Sequence, residues 1–308
     1  MKLSIISPVY KAELIVDELV KRIVIEAEKI TANFEIILVE DGSPDNCWGK
    51  ILENCKKDSR VKGVKLSRNF GQHFAISAGL ENSKGEYVIL MDCDLQDDPI
   101  YFEALISKAK EGYKIVYTYK KERKHGFLKN LKAKIFYSIF NFLVDNKNNK
   151  ASEKVGSYSL LSREVVDAYL KLGDYKRHYL MLLRWLGFHS AYIEIDHNKR
   201  FEGKSSYNFK KLMLHAIDGI TSQSDKLLRL TASFGFLMAL FSLLSALGII
   251  IRYLITPFQA GWASLMVLTL FVGGMIILSV GICGIYIGRI FEQTKMRPQY
   301  IIDQKVNL

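Results

Sequence analysis

The chain has 308 residues and carries 43 Lys and Arg against 32 Asp and Glu, a net charge of +11. That excess implies an anionic partner, and charge alone leaves nucleic acid, an anionic lipid surface and a phosphorylated substrate open. Cys47, Cys55, Cys93 and Cys283 are scattered without C-x-x-C or Cys/His spacing, which argues against a disulfide framework or a zinc site and suits a reducing compartment.

In chain order, the apolar stretch 3–6 is broken by Pro8 and followed by Lys11 and Glu13, too short for a signal-peptide core, so the N-terminus is expected to stay in the cytoplasm. Short β-branched runs then alternate with helical patterns: strand 3–9 and helix 14–30, strand 35–39 and helix 46–55, strand 61–66 and helix 70–80, strand 87–91, helix 99–109 and strand 114–117. This βαβα order predicts an α/β domain with a parallel sheet covered on both faces. Ligands of such sheets sit at the carboxyl ends of the strands. Here those ends carry Ser7 to Tyr10, Glu40 to Ser43, Ser67 to Asn69 and Asp92 to Asp97, which makes that edge the candidate site.

Beyond it the chain turns basic: seven Lys and Arg stand against one Glu in 120–134, running into Ile135, Phe136, Ile139, Phe140 and Leu143. An amphipathic helix at about 125–144, lying in a membrane interface, is expected, and a second over 209–230. Residues 231–251 and 253–288 hold no charge. About 20 apolar residues cross a bilayer, so two membrane helices are expected, about 231–253 and 263–288. Lys226 and Arg229 before them and Arg289, Lys295 and Arg297 after them, against Arg252 alone between, place both ends in the cytoplasm by the positive-inside rule. The expected organisation is a cytoplasmic catalytic domain over 1–208, the interface helix 209–230, the spans within 231–290 and a cytoplasmic tail over 291–308. The spans also offer a surface for a homo-oligomer. The basic stretch is interleaved with apolar residues and lacks a nucleic-acid motif, so nucleic acid is not the expected partner.

Asp92 and Asp94 alternate by two at a strand end. Both can face one space, where carboxylates about 4–6 Å apart repel unless a cation lies between them. A hard divalent ion, Mg²⁺ or Mn²⁺, is the natural occupant. It would stabilise a departing diphosphate.

Five motifs stand in order with this pair: Ser7-Pro8-Val9-Tyr10 with Glu13, Val39-Glu40-Asp41-Gly42-Ser43-Pro44-Asp45, Leu66-Ser67-Arg68-Asn69-Phe70-Gly71, Asp92-Cys93-Asp94-Leu95-Gln96-Asp97, and Arg200-Phe201-Glu202-Gly203-Lys204-Ser205-Ser206-Tyr207. Together they resemble the family 2 glycosyltransferases, and within them the polyprenyl-phosphate hexosyltransferases, which include bactoprenol glucosyltransferases and dolichyl-phosphate mannose synthases. The resemblance implies a GT-A type nucleotide-sugar-binding domain followed by interface helices and a membrane hairpin. It implies inverting transfer of a hexose or N-acetylhexosamine from a nucleotide sugar, with uracil the expected base, to undecaprenyl or another polyprenyl phosphate. Pro8, Tyr10, Glu13, Glu40, Asp41, Ser43 and Arg68 would meet the nucleotide. Asp92 and Asp94, with Gln96, would form the catalytic metal site. Asp97, Arg123, Ser157, Arg200, Lys204, Ser205 and Tyr207 would meet the sugar or the acceptor phosphate.

Departures from the family pattern are Lys11 for Asn, Glu40 for Asp, Asp98-Pro99 for Pro-Pro and, above all, Ser157 where many relatives have Asp. A general base contributes about 10² to 10⁴-fold to transfer onto a hydroxyl. A phosphate monoester, with a second pKa near ~6, is already an ionised nucleophile. Ser157 therefore suits a phosphate acceptor. Rival readings are a processive polysaccharide synthase, suggested by Arg184-Trp185 but with Met181 in place of the Gln of that motif, and a non-catalytic membrane scaffold of the same fold.

Overall fold

The structure, a computed structural model, describes residues 1–120, 155–175, 177–196, 224–255 and 261–308. These fall into two compact units, one holding 1–120, 155–175, 177–196 and 297–308, the other 224–255 and 261–296.

The first unit is an α/β sandwich on one sheet. Strands β1 (Leu3–Val9) and β2 (Phe34–Glu40) are buried along their whole length, as continuous apolar runs in a doubly covered sheet should be. They are followed by β3 (Val61–Leu66) and β4 (Tyr87–Leu90). Between these strands lie α1 (Val16–Ile30), α2 (Cys47–Lys57) and α3 (Gln72–Asn82). Helix α1 buries Val16, Leu19, Val20, Ile23 and Ala27, the stripe that helical spacing dictates. A short 3-10 turn, Pro99–Tyr101, leads into α4 (Phe102–Lys110) and then β5 (Ile115–Lys120).

Strands β1 to β5 and α1 to α4 agree with the sequence reading to within a few residues. Five further elements belong to this unit: β6 (Val155–Ser162), α5 (Arg163–Lys171), α6 (Tyr179–Leu186), β7 (Ser190–Ile195) and, after the second unit, β8 (Ile302–Val306).

The spatial order is β7-β5-β6-β4-β1-β2-β3-β8. The run β4-β1-β2-β3 is parallel, while β6 lies antiparallel to both β4 and β5, so the sheet is mostly rather than wholly parallel. Alternation divides the core into two layers. Ile5, Ile36 and Leu38 pack under α1, α2 and α4, whereas Ile6, Ile37 and Val39 pack under α3, α5 and α6. Burial on both faces fixes the register of the parallel strands, since a slip by one residue would exchange the two layers. Their carboxyl ends are thereby held level.

The second unit holds α7 (Lys226–Ile255) and α8 (Trp262–Thr294). Both are long and apolar enough to cross a membrane, with apolar windows of mean hydropathy 1.8 and 2.1. Their large side chains face outward, among them Phe236, Leu243 and Ile277 at 71%, 68% and 74% exposure. A surface of that kind suits lipid. The expected interface helix at about 125–144, and residues 209–223 of the second one, lie outside the described residues. Residues 226–230, expected as the end of that second helix, instead open α7, because nothing in Lys226 to Leu230 breaks a helix before the apolar run begins.

One expectation is corrected. The segment 291–308, read as a tail, is in part a strand: β8 pairs antiparallel with β3 and closes that edge of the sheet. A five-residue strand made mostly of polar residues lacks the apolar run that marked the others, and its partner lies more than two hundred residues away. Neither signal is visible locally.

Candidate functional site

The carboxyl ends of β1, β2, β3 and β4 bring the motif residues to one edge. After β2, Asp41 is buried and both of its oxygens accept backbone N–H groups of the loop after β3: Oδ1 from Phe70 at 2.7 Å and Oδ2 from Gly71 at 2.9 Å. Gly42 makes the approach possible. It sits at φ +60, and a Cβ there would stand 2.2 Å from the backbone nitrogen of Asn69. No other residue fits.

Glu40 Oε1 accepts the N–H of Ser43, while Oε2 is buried without a hydrogen-bond partner among the described residues. Burial is the largest influence on both carboxyls and holds each above its ordinary range, against the pull of the N–H donors.

The loop after β1 is laced to the loop after β2. Lys11 N–H donates to Ser43 Oγ at 2.8 Å, Glu13 N–H to Asp45 Oδ2 at 3.1 Å, and Asn46 N–H back to Glu13 Oε2 at 3.1 Å. Pro8 is buried in β1, and Tyr10, just beyond it, is 43% exposed at the rim. Arg68 is exposed, stacks its guanidinium 4.0 Å over the Phe70 ring and donates to the Asn69 carbonyl. The residues expected around the nucleotide thus share one rim, and Asp41 is at the same time the clamp that shapes it.

After β4, Asp92 and Asp94 are half-buried. Two neutral groups converge on Asp92 Oδ1: the Gln72 amide at the start of α3, at 2.8 Å, and the Ser157 hydroxyl on β6, at 2.9 Å. Asp94 Oδ1 accepts the N–H of Gln96 at 3.1 Å, in a tight turn that puts Leu95 at φ +56. Asp97 is buried, and Asp98 caps the following 3-10 turn through Ile100 N–H at 3.1 Å. Burial, with the charges of Asp92 and Asp94, pushes the Cys93 thiol up to about 12, so the cysteine inside the acidic motif is not a nucleophile at neutral pH.

Among the described residues no group of three His, Cys, Asp or Glu forms a ready cage for a metal. Two carboxylates suit an ion that takes its remaining ligands from substrate phosphates and water, as Mg²⁺ commonly does. The donor set fits a divalent cation on those terms.

Arg123, Arg200, Lys204, Ser205 and Tyr207 lie outside the described residues. Ser157, expected beside the sugar or acceptor phosphate, directs its hydroxyl to Asp92. Sequence reasoning missed Gln72 and Asp45. Gln72 follows the Arg68–Gly71 motif directly and Asp45 ends the Glu40–Asp45 motif, so adjacency was the available signal. Arg184 is buried in α6, and Trp185 beside it is 64% exposed.

With this geometry in place, comparison with known proteins decides the family. The family described as glycosyl transferase family 2 matches residues 4–170, more than half of the chain. The chain belongs to glycosyl transferase family 2. Similarity to individual members runs the whole length. The chain is 33% identical to a bactoprenol glucosyl transferase of Shigella phage SfX, over 99% of this chain and 100% of that one. It is 32% identical to an undecaprenyl-phosphate 4-deoxy-4-formamido-L-arabinose transferase of Shewanella sediminis, over 97% and 91%. Among solved structures, glucosyl-3-phosphoglycerate synthase from Mycobacterium tuberculosis with Mn²⁺ and UDP-glucose is similar with a TM-score of 0.50 at 14% identity, over 72% of this chain and 77% of that one. At that identity the likeness concerns the fold alone, a GT-A-like α/β domain.

Two outcomes test the site of this glycosyltransferase. Glu40 has a raised carboxyl pKa, so its contribution to stability is present at low pH and lost as pH climbs from its ordinary 4.5 through the raised value. Glu40→Gln removes that loss, and denaturation at a series of pH values will show the variant gaining on the parent as pH rises from 4.5. Replacing Gln72 and Ser157 together with Ala removes these two donors to Asp92 and, for the metal site proposed below, is expected to weaken Mn²⁺ affinity about 10 to 100-fold with the thermal midpoint little changed.

Proposed function

We propose that this glycosyltransferase moves a hexose or N-acetylhexosamine from a nucleotide sugar, UDP-linked by expectation, to undecaprenyl phosphate at the cytoplasmic face of a membrane. The observation that carries this reading is that similarity to two relatives named for bactoprenol or undecaprenyl phosphate covers nearly the whole chain, the two apolar helices included. A lipid acceptor accounts for those helices, and the positive charges flanking them favour cytoplasmic ends. A homo-oligomer through α7 and α8 is compatible with their outward apolar surface.

In this reading the nucleotide lies across the rim formed by Tyr10, Glu13, Ser43 and Arg68, where exposed Tyr10 and Arg68 and half-buried Glu13 and Ser43 stand at the ends of the parallel strands. Arg68, on the clamped loop, brings a positive charge to the diphosphate. Asp92 and Asp94 hold Mg²⁺ or Mn²⁺, with Gln96 fixing the Asp94 carboxylate through its backbone. A cation bound there would neutralise the diphosphate as it departs. Gln72 and Ser157 keep Asp92 oriented, so the carboxylate need not reorganise during the reaction. Attack by the lipid phosphate oxygen on the anomeric carbon, opposite the leaving diphosphate, inverts that centre. The phosphate arrives ionised, so no base is required, which accords with a serine at position 157. Arg200, Lys204 and Ser205, with Arg123, Asp97 and Tyr207, remain the proposed contacts of the acceptor phosphate and the sugar.

The test is transfer of labelled sugar from UDP- and GDP-linked donors to undecaprenyl phosphate by the detergent-purified chain, with Mg²⁺ or Mn²⁺ and with EDTA. A labelled lipid formed only with metal is expected, and Asp94→Ala is expected to lower its rate about 10² to 10³-fold at unchanged thermal midpoint. Folded protein that transfers no sugar from any donor, or equal transfer in EDTA, contradicts the reading.

A further inference from the structure

The chain returns from α8 to the catalytic unit and closes the sheet beside β3. Five polar side chains fix that return. Gln299 Nε2 donates to the Asp174 carbonyl at 2.7 Å, Tyr300 OH donates to Glu81, and Trp48 Nε1 donates to Gln304 Oε1 at 3.0 Å. Lys305 Nζ meets Asn82 Oδ1 at 2.8 Å, and the Asn307 amide donates twice, to the carbonyls of Cys55 at 2.8 Å and Val61 at 2.9 Å. Five segments of the unit, α2, β3, α3, the loop after α5 and the strand itself, are thereby joined.

The register is specific as well. Val306 stands opposite Gly63 and Ile302 opposite Leu66, with a shift in pairing between Lys65 and Leu66. Val306 packs with the core layer under α2, and Ile302 with the layer under α3. The two stand four positions apart on β8 but their partners three positions apart on β3, so the extra residue is what sends them to opposite faces. An edge covered only to prevent pairing with other chains would not need that fit.

The consequence lies at the upper end of the strand. Ser67 N–H donates to the Ile301 carbonyl at 2.9 Å. Ser67 opens the loop that carries Arg68, that crosses Gly42 at Asn69, and that gives the N–H groups of Phe70 and Gly71 to Asp41. We propose that residues 297–308 are a positioning element of the donor site, holding the Ser67–Gly71 loop in the shape that Asp41 and Gly42 receive. The role rests on the reading of that rim as the nucleotide site. It makes the segment after the second apolar helix a part of donor recognition.

The test uses the full chain beside a variant ending at Pro298 and a milder one, Gln304→Ala with Asn307→Ala. Amide hydrogen exchange of 66–71 and affinity for UDP with Mn²⁺ are measured, together with KM for undecaprenyl phosphate. Loss of β8 is expected to speed exchange of 66–71 and weaken UDP about 10 to 100-fold. KM for the lipid should stay that of the parent, and a peptide of residues 297–308 added to the truncated chain should restore UDP affinity. A merely structural cover would move exchange across the whole unit or move both substrates alike, and that result overturns the proposal. So does a folded truncation with parental exchange and UDP affinity. Should the truncated chain fail to fold, the double substitution decides by the same two readouts. If the parent binds no UDP, the donor reading fails, and exchange confined to 66–71 still decides whether β8 holds that loop.

Discussion

The Asp41 carboxylate joins the ends of β2 and β3 by accepting two backbone N–H groups, and Gly42 lets the two loops touch. The geometry of the proposed donor rim depends on this contact. A carboxylate that accepts two N–H groups fixes the direction of the loop giving them, and a buried carboxylate without them would be costly. Because β1 to β4 are level in register, one clamp between two strands also sets where Arg68 stands relative to the loop after β1. β8 reinforces the same loop from outside through Ser67.

Acidic side chains crowd this edge, and neutral donors hold them. Ser43 N–H serves Glu40, Ser43 Oγ and Glu13 N–H serve Asp45, Gln72 and Ser157 serve Asp92, and Gln96 N–H serves Asp94. Such donors orient the carboxylates without cancelling their charge. A divalent cation placed at Asp92 and Asp94 would be shared between these carboxylates and a diphosphate. A serine at 157 contributes to that arrangement as a donor, whereas an aspartate there would add a further negative charge beside Asp92.

Much of this was legible in the sequence because its cause is local. Continuous β-branched runs gave β1 to β4, helical spacing gave α1, α2 and α4, and uninterrupted apolar stretches gave α7 and α8. Asp92 and Asp94 stood out by their alternation at a strand end. The roles of Gln72 and Ser157 did not, since their common partner lies 20 and 65 residues away and only the sheet order brings the three together. The same holds for β6, which intrudes antiparallel into a parallel series, and for β8, whose polar residues carry no strand signal and whose partner strand is remote in sequence. Asp41 stood out by its motif, but its use as a clamp depended on knowing which backbone passes beside it.

In the proposed metal site the protein supplies two carboxylates and the nucleotide completes the coordination. Electron paramagnetic resonance of Mn²⁺, titrated into the purified full chain with and without UDP, tests it most directly. Weak binding of Mn²⁺ alone is predicted, and binding more than about tenfold tighter with UDP, with UDP tightened by Mn²⁺ in equal measure. Mn²⁺ held equally well with and without the nucleotide would contradict it.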